Sequence, residues 1–233
     1  MLRKRSNEHL TKKDIEHLSC VYYWNSNSFL ATAFSNFPLP LKRHCVQVGA
    51  VAGLMALRAS DNAIPAGMSR DEYANAVRYG GMYHDIGVYI VYNQRALYPT
   101  AGARFLREQI DEQAVSPKVR DIIVETVRCC CEQYDGLGYP YKLSGDDVPL
   151  HAGICSIANV VDTMMMTRRG TMANAEHAIT EGNGQAFSPE STACFMTAYE
   201  DIAYAYKCWR KAPPFWKNGD IKPLFRRIEQ TIG

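Results

Sequence analysis

Apolar residues in this chain recur at helical spacing almost throughout, and no stretch of useful length alternates apolar with polar as a half-buried strand does. The chain is therefore read as a set of helices separated by Pro- and Gly-rich turns. Thr11 with Asp14 opens a first helix through about Tyr23. A loop with Pro38 and Pro40 follows, and then Leu41 to about Arg58 carries the stripe Leu41, Cys45, Val48, Val51, Ala52 and Met55. Ser69 and Glu72 form a capping box for a helix to about His84, with Gly87 just past its end. Pro99 and Thr100 precede a helix from Ala101 to Ile110, and Ser116 with Pro117 starts one that runs to about Glu132. After the turn-rich stretch 135–147 come helices from Leu150 to about Met166, from Ala173 to Ile179, and from Ser188-Pro189 to about Trp209; Pro223 begins a last one. The expected fold class is all-α: an N-terminal helical extension over residues 1–40 and one helical domain over 41–233.

Composition narrows the function classes. With 233 residues, 47% hydrophobic and 21% charged, the chain can bury a sizeable core. A net charge of only +2 argues against a partner that is a nucleic-acid polymer. The local exception, Lys207 to Gly233 with seven Lys/Arg and two Asp/Glu, reads as a solvated helical tail. No run approaches the ~18 apolar residues of a membrane helix, so no membrane partner is expected. The basic start Met1 to Arg5 leads into Ser6, Asn7, Glu8 and His9 and not into the apolar core of a secretory signal. The eight cysteines form no CxxC pair and are read as reduced thiols of a cytoplasmic protein.

Three elements carry chemistry. His84-Asp85 ends a helix, and an adjacent imidazole and carboxylate can both ligate one divalent ion. An HD dipeptide alone is common, and a structural histidine explains it as well. His44 stands within an apolar stripe, where a histidine is either a satisfied core residue or an inward-facing ligand. Asp135-Gly136-Leu137-Gly138-Tyr139-Pro140 follows a long helix, and its two glycines permit backbone shapes closed to other residues. On physical grounds a plain structural turn accounts for that loop equally well.

The order of these pieces resembles the HD-GYP branch of the HD metal-dependent phosphohydrolases. The matching residues run from Arg43-His44 through Gly80-Gly81-Met82-Tyr83-His84-Asp85-Ile86-Gly87 and Pro99-Thr100-Ala101-Gly102-Ala103. They continue through Glu132-Gln133-Tyr134-Asp135-Gly136-Leu137-Gly138-Tyr139-Pro140, Leu143-Ser144-Gly145 and Ile157-Ala158-Asn159-Val160-Val161-Asp162, as far as Phe187-Ser188-Pro189 and Phe195. The resemblance implies an HD-type helical bundle with the GYP loop and extra C-terminal helices. It also implies hydrolysis of cyclic dinucleotides, chiefly cyclic di-GMP, at two or three iron or manganese ions.

His44, His84 and Asp85 stand where the family has its first histidine and its HD pair, with Asp85 the catalytic candidate if the chain is active. Other positions depart. Val88 replaces a lysine, Tyr98 a histidine, Cys130 and Cys131 paired histidines, and Asn159 the late aspartate; a carboxylate that some members supply falls at Pro40. Asn159 offers only a neutral carbonyl, and Asp162, one turn on, is a substitute ligand after a local shift. Cys130 and Cys131 are either thiolate ligands suited to zinc or two packed thiols. The expectation is one divalent ion (iron, manganese or zinc) at His44, His84, Asp85 and Asn159, with no full di- or tri-metal centre. The loop Asp135, Gly136, Gly138, Tyr139 and Pro140 is retained as a substrate- or partner-facing element. The resulting reading is a degenerate, catalytically impaired protein that binds a cyclic dinucleotide or a signalling protein. The alternative is an active phosphodiesterase with an altered metal centre. A third option uses Val21-Tyr22-Tyr23-Trp24 as a contact segment of a structural partner domain.

Overall fold

The structure is a computed structural model that describes residue 33 and residues 36–91, 94–110 and 115–210. The expected first helix, the Val21-Tyr22-Tyr23-Trp24 segment and the helix after Pro223 lie outside the described residues, as does most of the basic stretch from Lys207.

Seven α-helices make up the described fold: α1 (Leu39–Ala56), α2 (Arg70–Tyr83), α3 (Tyr98–Gln109), α4 (Pro117–Cys129), α5 (Leu150–Met166), α6 (Met172–Glu181) and α7 (Pro189–Arg210). Among the described residues there is no strand, only an isolated bridge between Asn183 and Phe187. Among those residues no helix is long and apolar enough to cross a membrane. The all-α expectation holds.

The local signals act as read. Ser69 accepts from the Glu72 N–H while the Glu72 carboxylate accepts from Ser69, completing the capping box of α2. Ser116 caps α4 by accepting from Val119. Two boundaries differ from expectation for identifiable reasons. α3 begins at Tyr98 because Pro99, which lacks an N–H, is accommodated within a first turn. α4 ends at Cys129 because Glu132, instead of extending the helix, turns its buried carboxylate onto the loop that follows.

α1 is the centre of the bundle. Every residue from Cys45 to Ala56 is buried, as expected of a helix that is apolar nearly all round. Its closest neighbour is α2. A Cβ at Gly49 would lie 2.7 Å from the Arg78 carbonyl oxygen, and one at Gly53 3.0 Å from the Arg78 Cβ. One at Gly81 would lie 3.1 Å from both the Gly49 Cα and the Ala52 Cβ. These positions run in opposite directions along the two helices, so α1 and α2 are antiparallel with their backbones in close approach. α5 packs on α1, and α7 packs on both. The Arg58–Asp201 ion pair, at 2.7 Å, ties the second residue past the C-terminal end of α1 to α7. Gly49→Ala tests the close approach by its sign. Helix propensity alone would stabilise the protein by about 1 kcal/mol. The contact with a backbone oxygen instead predicts a net loss of ~1–3 kcal/mol, read as a lower urea midpoint at unchanged slope.

Candidate functional site

The antiparallel pairing of α1 and α2 sets His44, in the first half of α1, against the C-terminal end of α2, where His84 is the cap residue and Asp85 follows. The rings of His44 and His84 lie 5.2 Å apart, centroid to centroid. The Asp85 Oδ2 is 3.4 Å from His84 Nε2 and 3.9 Å from His44 Nε2.

Each imidazole is oriented from behind. His84 Nδ1 lies 2.8 Å from the Gly81 carbonyl, which can only accept, so Nδ1 carries the hydrogen. Burial holds His84 below its usual range, leaving a neutral ring whose Nε2 lone pair faces Asp85. That Nε2 is fully buried and has no hydrogen-bond partner. His44 Nδ1 donates to Asp162 Oδ2 at 2.7 Å, and the Tyr206 hydroxyl donates to Asp162 Oδ1 at 2.7 Å. Burial pulls the His44 pKa down, but the hydrogen bond and charge of Asp162, with the charge of Asp85, outweigh it and raise the pKa above its ordinary value. A cation bound there competes with that proton.

His44, His84 and Asp85 form the one group of His, Cys, Asp or Glu among the described residues able to hold an ion, with their donor atoms all within 4.8 Å. Two donors ~2.1 Å from a common ion sit at most ~4.2 Å apart. Both contacts to Asp85 meet that limit, and an orphaned imidazole nitrogen is the acceptor a cation satisfies. The residues therefore fit one ion. Histidines anchored through Nδ1 to a carboxylate and to a carbonyl are the usual outer support of such a site.

The other sequence candidates are placed as follows. Asn159 lies within hydrogen-bond reach of His44 and accepts from the Thr163 hydroxyl at 3.4 Å. Asp162 is fully buried, and its two oxygens serve His44 and Tyr206, so it supports a ligand instead of replacing one. Cys130 and Cys131 are not part of the three-residue group. Their sulfurs are 3.9 Å apart, and Cys131 lies 2.9 Å from the Tyr98 hydroxyl. Val88 is 46% exposed.

The loop after α4 is pinned at several points. The Glu132 carboxylate, 1% exposed, accepts from the N–H groups of Tyr141 at 2.7 Å and Leu143 at 3.1 Å. Asp135 Oδ1 accepts from the Leu137 N–H, and the Tyr139 N–H donates to the Cys131 carbonyl. Gly136 has φ +79°, and a Cβ at Gly138 would lie 2.3 Å from the Gln133 nitrogen, so both positions require glycine. The Tyr139-Pro140 bond is cis. Two structural roles escaped the sequence reading: the Asp162–Tyr206 support of His44 and the use of Glu132 as a loop staple. A carboxylate one helical turn from Asn159 was the available signal for the first. For the second, Glu132 and Leu143 both lie in matched stretches, but no local pattern marks the Glu132 carboxylate as the acceptor for the Tyr141 and Leu143 N–H groups.

The geometry predicts binding of one divalent cation per chain, measured by titration calorimetry with manganese or zinc. Asp162→Asn should weaken it ~10–100-fold while leaving the stoichiometry at one. His84→Ala, which removes a ligand, should abolish it.

No family model matches the sequence. A probable cyclic di-GMP phosphodiesterase of Vibrio cholerae serotype O1 is 36% identical over 69 residues, covering 28% of this chain and 16% of that protein. A second cyclic di-GMP phosphodiesterase of the same organism is 33% identical over 73 residues, covering 30% of this chain and 15% of that protein. The chain thus matches only a small part of the length of these curated relatives. Among solved structures, Bd1817, an HDG"Y"P protein from Bdellovibrio bacteriovorus, superposes with a TM-score of 0.51 at 15% identity, over 84% of this chain and 63% of that one. The chain is thus similar over a short stretch to two cyclic di-GMP phosphodiesterases, and it shares its helical architecture with an HDG"Y"P protein.

Proposed function

We propose that the chain is a degenerate HD-GYP-like protein of the cytoplasm that binds a cyclic dinucleotide and hydrolyses it slowly or not at all. The observation that carries this reading is that, among the described residues, the ion-capable group consists of three donors, His44, His84 and Asp85. Tyr98 and Cys131, at positions where the family supplies imidazoles, are engaged with each other, and Asn159 brings no charge. A bound cation at His44, His84 and Asp85 would supply Lewis-acid polarisation of a phosphate oxygen. At Val88, where the resemblance has a lysine, the chain brings no charge to the developing charge on phosphorus. Val88 is apolar, and loss of even one electrostatic donor typically costs ~10²–10³ in rate. The seven free cysteines among the described residues accord with a reducing compartment.

The retained loop supports a binding role. Glu132 pins it through the N–H groups of Tyr141 and Leu143, and Leu137 at its tip is 79% exposed. That exposed tip favours a signalling protein as a second class of partner. The active-enzyme reading draws its support from the orphaned His84 Nε2.

Calorimetric titration with cyclic di-GMP, paired with a cleavage assay in manganese, iron and zinc, separates these readings. The expected result is micromolar binding with turnover at or near background. Turnover that disappears in His84→Ala and Asp85→Ala establishes the phosphodiesterase and overturns the proposal. Absence of both binding and turnover removes the nucleotide and leaves the protein partner.

A further inference from the structure

Where α3 begins and α4 ends, two thiols and two phenols converge. Gly87 lets the Ile86–Tyr89 turn press against the start of α3, since a Cβ there would lie 1.9 Å from the Tyr98 carbonyl oxygen. Tyr98 is thereby set against the C-terminal end of α4. Its hydroxyl meets Cys131 Sγ at 2.9 Å, and the Tyr139 hydroxyl also hydrogen-bonds to that sulfur. Cys130 Sγ lies 3.9 Å away on the inner side. The two thiols differ in setting: Cys130 is 4% exposed and donates to the Val127 carbonyl at 3.3 Å, whereas Cys131 is only partly buried.

We propose that Cys131 is a modification site: a nucleophilic thiolate, cradled by the Tyr98 and Tyr139 hydroxyls and the Cys130 thiol, that reacts with soft electrophiles and is oxidised by hydrogen peroxide.

The direction of the hydrogen bonds supports this. Burial, reinforced by the neighbouring sulfurs, pushes the Tyr98 phenol far above its ordinary range, and burial does the same for Tyr139. Both keep their protons and so can donate to the sulfur. The Tyr139 and Tyr98 hydroxyls, with the Cys130 thiol when it turns from Val127 toward this sulfur, outweigh burial at Cys131 and hold its thiol down to about 7. Cys130, facing a thiol and buried, is pushed the other way. Because Cys130 has the nearer Val127 carbonyl as a competing acceptor, the two phenol hydroxyls are the main support. In the peroxide step the Cys131 sulfur attacks one peroxide oxygen. The S–O bond forms, the O–O bond breaks, and hydroxide leaves and takes a proton from solvent. Sulfur is oxidised to the sulfenic acid and peroxide is reduced to water.

This inference does not depend on metal or nucleotide binding. It is tested on the full chain by iodoacetamide labelling at about pH 6, with peptide mapping by mass spectrometry. Cys208, a free and partly buried thiol of the same chain, is the internal reference. At that pH a thiol of pKa about 7 is ionised ~30 times more than an ordinary one, and its thiolate is ~5 times less nucleophilic. Cys131 should therefore label roughly sixfold faster than Cys208. Tyr98→Phe should bring the two rates within about twofold and Cys130→Ala should do less, both in protein with an unchanged thermal melt. Dilute peroxide should leave a dimedone adduct on Cys131 before any other cysteine. Equal labelling of Cys131 and Cys208 in the native chain overturns the proposal, whatever the variants do. A Tyr98→Phe protein that keeps the full ratio overturns the cradle.

Discussion

The close approach of α1 and α2 is the constraint on which the rest depends. Residues in α1 that carry no Cβ let its backbone press against Arg78 and Met82, and Gly81 returns the favour from the other side. Only at that separation can imidazoles rooted on two different helices converge on one carboxylate. A larger side chain at Gly49 or Gly81 would have to move one helix away, and His44 with it. Packing therefore sets the chemistry: the donor spacing at the site is inherited from contacts one and two turns deeper in the bundle, where no functional group is present.

Electrostatics then refines what packing has placed. Asp162 is fully buried yet fully engaged, accepting from an imidazole and a phenol. A buried carboxylate without such partners would be costly. With them it fixes the His44 ring and directs Nε2 outward. α7 takes part through Tyr206, so the last described helix, far from the HD pair in sequence, helps to orient its partner histidine. Asp85 is the most exposed of the three donors, at 18% of its side chain, which puts the open side of the site at the carboxylate.

Much of this was readable from the chain. The capping box at Ser69 and Glu72, the Ser116 cap and the bounds of α5 follow from local chemistry that acts within one turn. His44, His84 and Asp85 were identifiable because their order accompanies a specific loop motif. The division of labour between Asn159 and Asp162 was not identifiable. One helical turn separates them, and the rotation of α5 against α1 decides which faces the front of His44 and which the back. The pairing of Tyr98 with Cys131 was equally hidden, since the two are 33 residues apart, one opening α3 and the other in the turn just past α4. Pairings that depend on how two helices are rotated against each other leave no trace in local pattern.

Tyr98, Cys130 and Cys131, which the resemblance sets at imidazole positions, are not left without partners. A histidine pair exchanged for thiols in an unchanged pocket would leave sulfurs pointing at nothing, and a phenol in place of an imidazole would bury an unpaired hydroxyl. Here the replacements satisfy one another: the Tyr98 hydroxyl donates to Cys131, and Cys130 finds the Val127 carbonyl. A set of groups that is internally hydrogen-bonded resists recruitment by a cation, because each new metal–sulfur bond must first displace a contact already made. The same closure holds the Cys131 sulfur in place and lowers its proton affinity. The hydrogen bonds that discourage a second ion at this wall are thus the ones that would stabilise a thiolate at its outer sulfur.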